Sequence, residues 1–170
     1  MTDSSLRSKL RLAHPEDEAL FLEWRNSSWS VALSGTQRVV SEEEHAGWFT
    51  NTLTETSRLL FVIEEGGNPV GMVRYEVRGE AVAEVTLAVV PERLGQGLGT
   101  ASFLESVPLL AQWRPVRTIL ARVRRDNTRS LAFFRHLGFR TVQDDGTSDL
   151  VQLELTIGES QAPRSGADPD

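Results

Sequence analysis

Cysteine is absent from this 170-residue chain. That excludes a disulfide framework, a thiolate nucleophile and a cysteine-based zinc site. Histidine is scarce: His14, His45 and His136 lie far apart, none in the H-E-x-x-H spacing of a zinc enzyme, so no metal is expected. Tyr75 is the only tyrosine and Lys9 the only lysine. No run of 18 apolar residues exists, and residues 1–20 lack the apolar centre of a signal peptide. The expectation is a cytoplasmic protein without a membrane partner. What is present is ordinary: 39% hydrophobic and 25% charged residues, enough for one packed domain.

The net charge of −6 argues against nucleic acid as a partner. Its distribution is uneven. Residues 114–140 hold eight arginines and one acid, Asp126, for a local charge of +7, which leaves −13 elsewhere. A basic block in an acidic chain calls for a local anionic partner.

Residues 6–12 alternate apolar and basic side chains, the pattern of a first strand. Pro15-Glu16-Asp17-Glu18 opens a helix reaching about residue 26. Residues 27–40 show no period and read as loop. Ser41-Glu42-Glu43-Glu44 is a capping box, and the helix after it sets His45, Trp48, Phe49 and Leu53 near one face. Strands at 58–63, 69–77 and 81–90, joined by glycine turns, form an antiparallel meander. A helix follows from about residue 97, which Pro108 should kink or shorten. Then come a strand at 118–123, a helix at 129–136 and closing strands at 139–143 and 150–157. The reading is one α/β (α+β) domain over 1–157, with a mostly antiparallel sheet of about seven strands and about four helices. Residues 158–170 are Gly/Ser/Pro-rich and expected to be a disordered tail.

The most informative stretch joins the third meander strand to the next helix: Pro91-Glu92-Arg93-Leu94-Gly95-Gln96-Gly97-Leu98-Gly99-Thr100. Glycines at 95, 97 and 99 let backbone approach a ligand closely. The free amides of the helix's first turn, with the positive dipole end behind them, suit a phosphate. A Walker loop would need Gly-Lys-Ser/Thr, which is missing. The G-x-G-x-G spacing also differs from the dinucleotide fingerprint, and it follows a meander instead of opening a βαβ unit. A tight strand-to-helix turn without a ligand is the remaining alternative.

This stretch resembles the GNAT superfamily of N-acetyltransferases, whose acetyl-CoA pyrophosphate loop reads (Gln/Arg)-x-x-Gly-x-(Gly/Ala). The match is Leu94-Gly95-Gln96-Gly97-Leu98-Gly99, with Leu94 where Gln or Arg is usual. A second stretch, Asn127 to Phe139, resembles the family's N-x-x-(A/S)-x-x-x-Y-x-x-x-G-F pattern except that Phe134 replaces the tyrosine. The resemblance covers residues 6–157 and implies the family's mixed sheet and acetyl-CoA as co-substrate.

It further implies that Leu87, Ala88 and Val89 hold the thioester carbonyl, that Asn127 contacts pantetheine and that Ser130 faces the phosphates. Glu84 resembles the fourth-strand glutamate that serves as base in part of the family. A half-buried carboxylate there would have a raised pKa; the alternative is a solvent-facing strand residue. His45 and Glu76 are other base candidates. Phe134 cannot donate a proton, so Tyr75 becomes the candidate acid. Asn127 also suits a helix cap. Arg122, Arg124, Arg125 and Arg129 flank the cofactor stretch and are candidates for its phosphates, or a solvated basic face.

The acceptor is expected at the first two helices. Trp24-Arg25-Asn26 followed by His45-x-x-Trp48-Phe49 resembles a subgroup that acetylates amino sugars on nucleotide carriers, in the pseudaminic-acid pathway. The same aromatics also suit a core. A protein N-terminus, an amino acid or a polyamine are alternative acceptors, the acidic exterior favouring cations. A non-catalytic acyl-CoA-binding module is another alternative. An exposed sheet edge leaves room for a homodimer.

Overall fold

In the computed structural model, which describes residues 8–34, 36–144 and 146–158, seven strands alternate with five α-helices. The strands are β1 (Lys9–Leu12), β2 (Arg58–Glu65), β3 (Asn68–Val77), β4 (Val82–Val89), β5 (Thr118–Arg124), β6 (Arg140–Gln143) and β7 (Leu150–Thr156). The helices are α1 (Glu18–Asn26), α2 (Ser28–Leu33), α3 (Glu42–Thr54), α4 (Leu98–Trp113) and α5 (Thr128–His136). One sheet runs β1-β2-β3-β4-β5-β7-β6. Every neighbouring pair is antiparallel except β4–β5.

That parallel pair sets up the site. It joins only Val82 to Thr118, Ala83 to Ile119 and Glu84 to Leu120. Beyond it β4 continues to Val89 and β5 to Arg124 without pairing, so the sheet splits. Arg78 N donates to Val82 O and Val90 N to Val70 O, both at 2.9 Å. Even-numbered residues of β4 therefore turn their peptide groups toward β3. By the alternation of an antiparallel ladder, Leu87 and Val89 turn theirs into the split.

The sheet is covered on both faces. Val73, Tyr75, Val85 and Ile119 pack with α4 through Phe103 and Leu110, and with α5 through Leu131 and Phe134. Leu60 and Val62 face the other way, against Phe21 of α1 and Phe49 of α3. Strand β2 thus buries both its faces, which explains its unbroken apolar run.

Four local expectations change. The 27–40 segment contains α2, whose six residues are too few to show a helical period; with it the helices number five, where about four were expected. Residues 15–17 form a 3-10 turn before α1. Ser41 caps α3 by accepting from Glu44 N at 3.1 Å, but the Glu44 carboxylate pairs with Arg38 instead of closing the box. Pro108 does not end α4, which runs on to Trp113. Pro108 is exposed, as is Leu104, whose carbonyl loses its donor, so water can satisfy it. Leu6 and Arg7 of the expected first strand, and all of the expected tail but Gly158, lie outside the described residues.

Candidate active site

The loop after β4 ends in Gly97, the N-cap of α4, at a left-handed φ of 78°. The first helical backbone bond is Ala101 N to Gly97 O at 3.0 Å. The amides of Leu98, Gly99 and Thr100 therefore lack a backbone partner among the described residues. They sit at the positive end of a 16-residue helix. A Cβ built on Gly97 meets nothing within 4 Å, so the space before these amides is open. Gly99 has a different reason: a Cβ there would lie 3.2 Å from the Phe133 ring and 3.4 Å from Leu87. Its bareness lets α4 seat against β4 and α5.

One cavity of about 830 Å³ joins this cradle, the β4–β5 split and the sheet face under α1, α2 and α3. Leu87, Ala88 and Val89 line it, as do Leu94, Gly95, Gly97, Leu98, Gly99 and Thr100. Asn127, Ser130 and Phe134 reach it from α5 and its cap, Asn127 also accepting from Ser130 N at 3.1 Å. Of the expected cofactor residues only Gln96 stays outside, exposed, its amide donating to Glu92 O. Trp24, Arg25, His45 and Trp48 line the far end. Asn26 does not: it donates to Val40 O at 2.8 Å and accepts from Val40 N at 2.9 Å, anchoring the loop after α2.

Both expected proton carriers need correction. Glu84 does not line the cavity. Burial alone would raise its pKa, but Arg122 and Arg78 outweigh it and hold the carboxyl below the ordinary glutamate range. Arg122 grips it through Nε at 3.1 Å and a terminal nitrogen at 2.9 Å, and Arg78 Nε adds a bond at 3.0 Å. Tyr75 is 0% exposed and lies in the core on the α4 side, bonded to Ser106 Oγ at 2.7 Å. Burial pushes its phenol far above the ordinary value, and it does not reach the cavity. Glu76, the weaker base candidate, is ion-paired with Arg58 and Arg78.

Three of the block's eight arginines are neutralised by the protein's own carboxylates. Arg122 pairs with Glu84, Arg124 with Asp126 and Arg125 with Asp144. Arg129 has no ion pair among the described residues; its guanidinium lies 3.9 Å from a Cβ built on Gly95, at the cradle. A long-range net charge is thus a poor guide to the cavity. Among the described residues six arginines line it against one carboxylate, Glu44, which is itself paired with Arg38. The expected pull on cationic acceptors is reversed locally.

His45 is 3% exposed, and neither ring nitrogen has a hydrogen-bond partner among the described residues. Its ring stacks on Phe49 at 5.8 Å and packs near Trp48. Burial lowers its pKa, which favours the neutral imidazole. Among the lining residues that were not foreseen are Trp29 of α2, Arg74 of β3 and Thr86 of β4. The first lies in a segment without period. The other two are polar residues on strands, where alternation leaves the face open.

A model of the acetyltransferase (GNAT) family matches residues 16–139. The fold is similar to an acetyltransferase from Thermus thermophilus, at 25% identity and TM-score 0.76 over 90% of this chain and 99% of that one. It is also similar to a Salmonella typhimurium protein solved with its cofactor acetyl-CoA (22%, 0.71, 94% and 99%). A spermidine N-acetyltransferase from Vibrio cholerae, in complex with CoA and spermine, shares the fold at 15% identity and TM-score 0.76, over 88% and 95%. No helix among the described residues is long and apolar enough to cross a membrane, and they contain no metal-type cluster of three His, Asp or Glu. With the family's model spanning the loop, the split and α5, the chain belongs to the GNAT acetyltransferases, which draw their acetyl group from acetyl-CoA.

Proposed function

We propose that this chain acetylates the primary amine of a small molecule. The observation that carries the reading is the continuity of one cavity, from the free amides of α4 through the split to the face under α1–α3. The cradle fits a pyrophosphate: three unpaired amides, a helix dipole, open space at Gly97 and the Arg129 guanidinium close by. Bound acetyl-CoA would supply a thioester-activated acetyl group; a thiolate is a fair leaving group, an ordinary thiol such as cysteine having a pKa of about 8.5, so its departure needs no acid.

The chain's own contributions follow. Leu87 N–H and Val89 N–H, turned into the split, are the donors for a carbonyl oxygen and for the charge it develops, with Phe133 and Phe134 lining the same cavity. Ala88 contributes its side chain to the wall and its peptide group to β3. Phe134 makes an apolar wall where the family has a hydroxyl. Neutral, unpartnered His45 is the lining group fit to take the amine's proton. Trp24, Arg25 and Trp48 bound the acceptor end.

The amino-sugar, amino-acid and polyamine readings are acceptors of this one reaction, and the Vibrio relative's spermine is that relative's ligand. A thiol-release screen with acetyl-CoA against these amines tests it. CoA release with at least one class is expected. Calorimetric acetyl-CoA binding without release from any would refute amine transfer and leave the non-catalytic module.

A further inference from the structure

Two arginines in the acceptor half of the cavity, Arg25 and Arg74, have no carboxylate among the described residues, and Arg74 is the one whose guanidinium makes a single hydrogen bond. Its strand partners across the sheet are Leu60 and Thr86, an apolar neighbour and a hydroxyl. Among the described residues its one hydrogen bond goes from a terminal nitrogen to Thr86 Oγ1 at 3.1 Å. The guanidinium carbon lies over the Trp48 ring, 5.4 Å from its centre. Burial disfavours its charge and lowers its pKa, with the Glu76 charge the largest opposing influence. Those nearby carboxylates are already committed. Glu76 is held by Arg58 and Arg78, and Glu84 by Arg78 and Arg122. The other two arginines of this half are committed as well: Arg122 to Glu84, and Arg25 to Arg38 O and Thr36 Oγ1.

A guanidinium carries five N–H donors in a planar fork, and a half-dry site leaves them costly to satisfy with one hydroxyl. The natural complement is a planar carboxylate taken bidentately. Its position relative to the transfer point limits where that carboxylate sits in the acceptor. Arg74 faces Thr86, while the carbonyl-facing amide of Leu87 is the next residue and that of Val89 two further on. At a rise of about 3.4 Å per residue the guanidinium stands within roughly 10 Å of the acetyl-transfer point along the strand. That leaves room for an amine and a carboxylate separated by a few bonds, and little for a diphosphate between them. Phe21, Trp29, Leu33 and Met72 form an apolar part of the lobe's wall, beside the polar Arg25, Ser30, Ser34, Glu44 and His45.

Resting on the amine-transfer reading above, we infer that the acceptor is an amine with a nearby carboxylate, an α-amino acid with an apolar side chain, and that Arg74 is the residue selecting it.

The test uses the full chain and matched probes: leucine, phenylalanine and methionine, their amides, the corresponding decarboxylated amines, spermidine and glucosamine 6-phosphate. Acceptor kcat/KM is read by CoA release, and binding to the CoA-loaded enzyme by calorimetry. Acids should exceed their amides at least thirtyfold, the scale of an unmade buried charge pair. In Arg74→Gln that ratio should fall toward one, with CoA affinity from calorimetry reporting that the variant is folded. Amides equal to acids, or preference for spermidine or the phosphosugar, overturns the inference while amine transfer stands. If no probe releases CoA, transfer itself fails, and the calorimetric acid-to-amide ratio still decides Arg74: a ratio near one in the native chain overturns it. The native ratio also decides the matter should Arg74→Gln not fold.

Discussion

Replacing Tyr75 by phenylalanine separates a structural phenol from a catalytic one. The ring is fully buried against α4, and its hydroxyl meets Ser106 Oγ at 2.7 Å. Ser106 spends its own proton on Phe103 O, also at 2.7 Å, so Tyr75 is the donor of the pair. Tyr75→Phe keeps the ring and removes that donor. Ser106 retains its bond to Phe103 and loses only an incoming one. The expected cost is about 1 kcal/mol, the net worth of one buried neutral hydrogen bond. For a domain of this size that lowers Tm by roughly 2–4 °C. Turnover should stay within about twofold, because no path leads from the phenol to the cavity. A phenol acting as general acid would instead be worth roughly 10²–10⁴ in rate. Thermal unfolding and CoA release measured on the same preparation decide between them. A tenfold or larger loss of kcat with an unchanged Tm would refute the structural assignment and return Tyr75 to the mechanism.

Three further predictions test the proton acceptor and the sheet around it. Glu84→Gln should change kcat by less than about threefold, whereas a base would show a loss near a hundredfold or more. His45 should instead govern the acid limb of kcat/KM: its neutral form is the competent one and burial lowers its pKa. The rate therefore falls only as pH drops below the ordinary histidine value of about 6.5, and that limb should vanish in His45→Gln. A limb unchanged in His45→Gln removes His45 as base. Gly71→Ala places a Cβ 2.4 Å from Ala88 O and 3.1 Å from Val89 Cα. Since both contacts are backbone, β3 and β4 must part, costing about 1–3 kcal/mol. Weaker acetyl-CoA binding should accompany the lower Tm; an unaltered Tm would mean the strands yield freely.

What the sequence determined by itself was chemistry carried by contiguous residues. The glycine loop, the Ser41 and Asn127 caps and the change from helical to strand period depend on neighbours a few positions away, so they were legible in one dimension. The loop motif and the Asn127–Phe139 stretch thereby indicated both family and cofactor. Tertiary structure decided what depends on which strands meet. Alternation said that Tyr75 and Arg74 face opposite ways, but not which of them faces the core. Pairing β3 with β4 and covering that side with α4 buried Tyr75 and opened Arg74 to the cavity. Glu84 read as a lone polar residue in an apolar strand until β5 brought Arg122 beside it. The same holds for charge. The +7 block was visible in the sequence, yet three of its eight arginines are spent on Glu84, Asp126 and Asp144, two of which lie far away in the chain. Ion pairs depend on distance in space, and only the folded chain sets that distance.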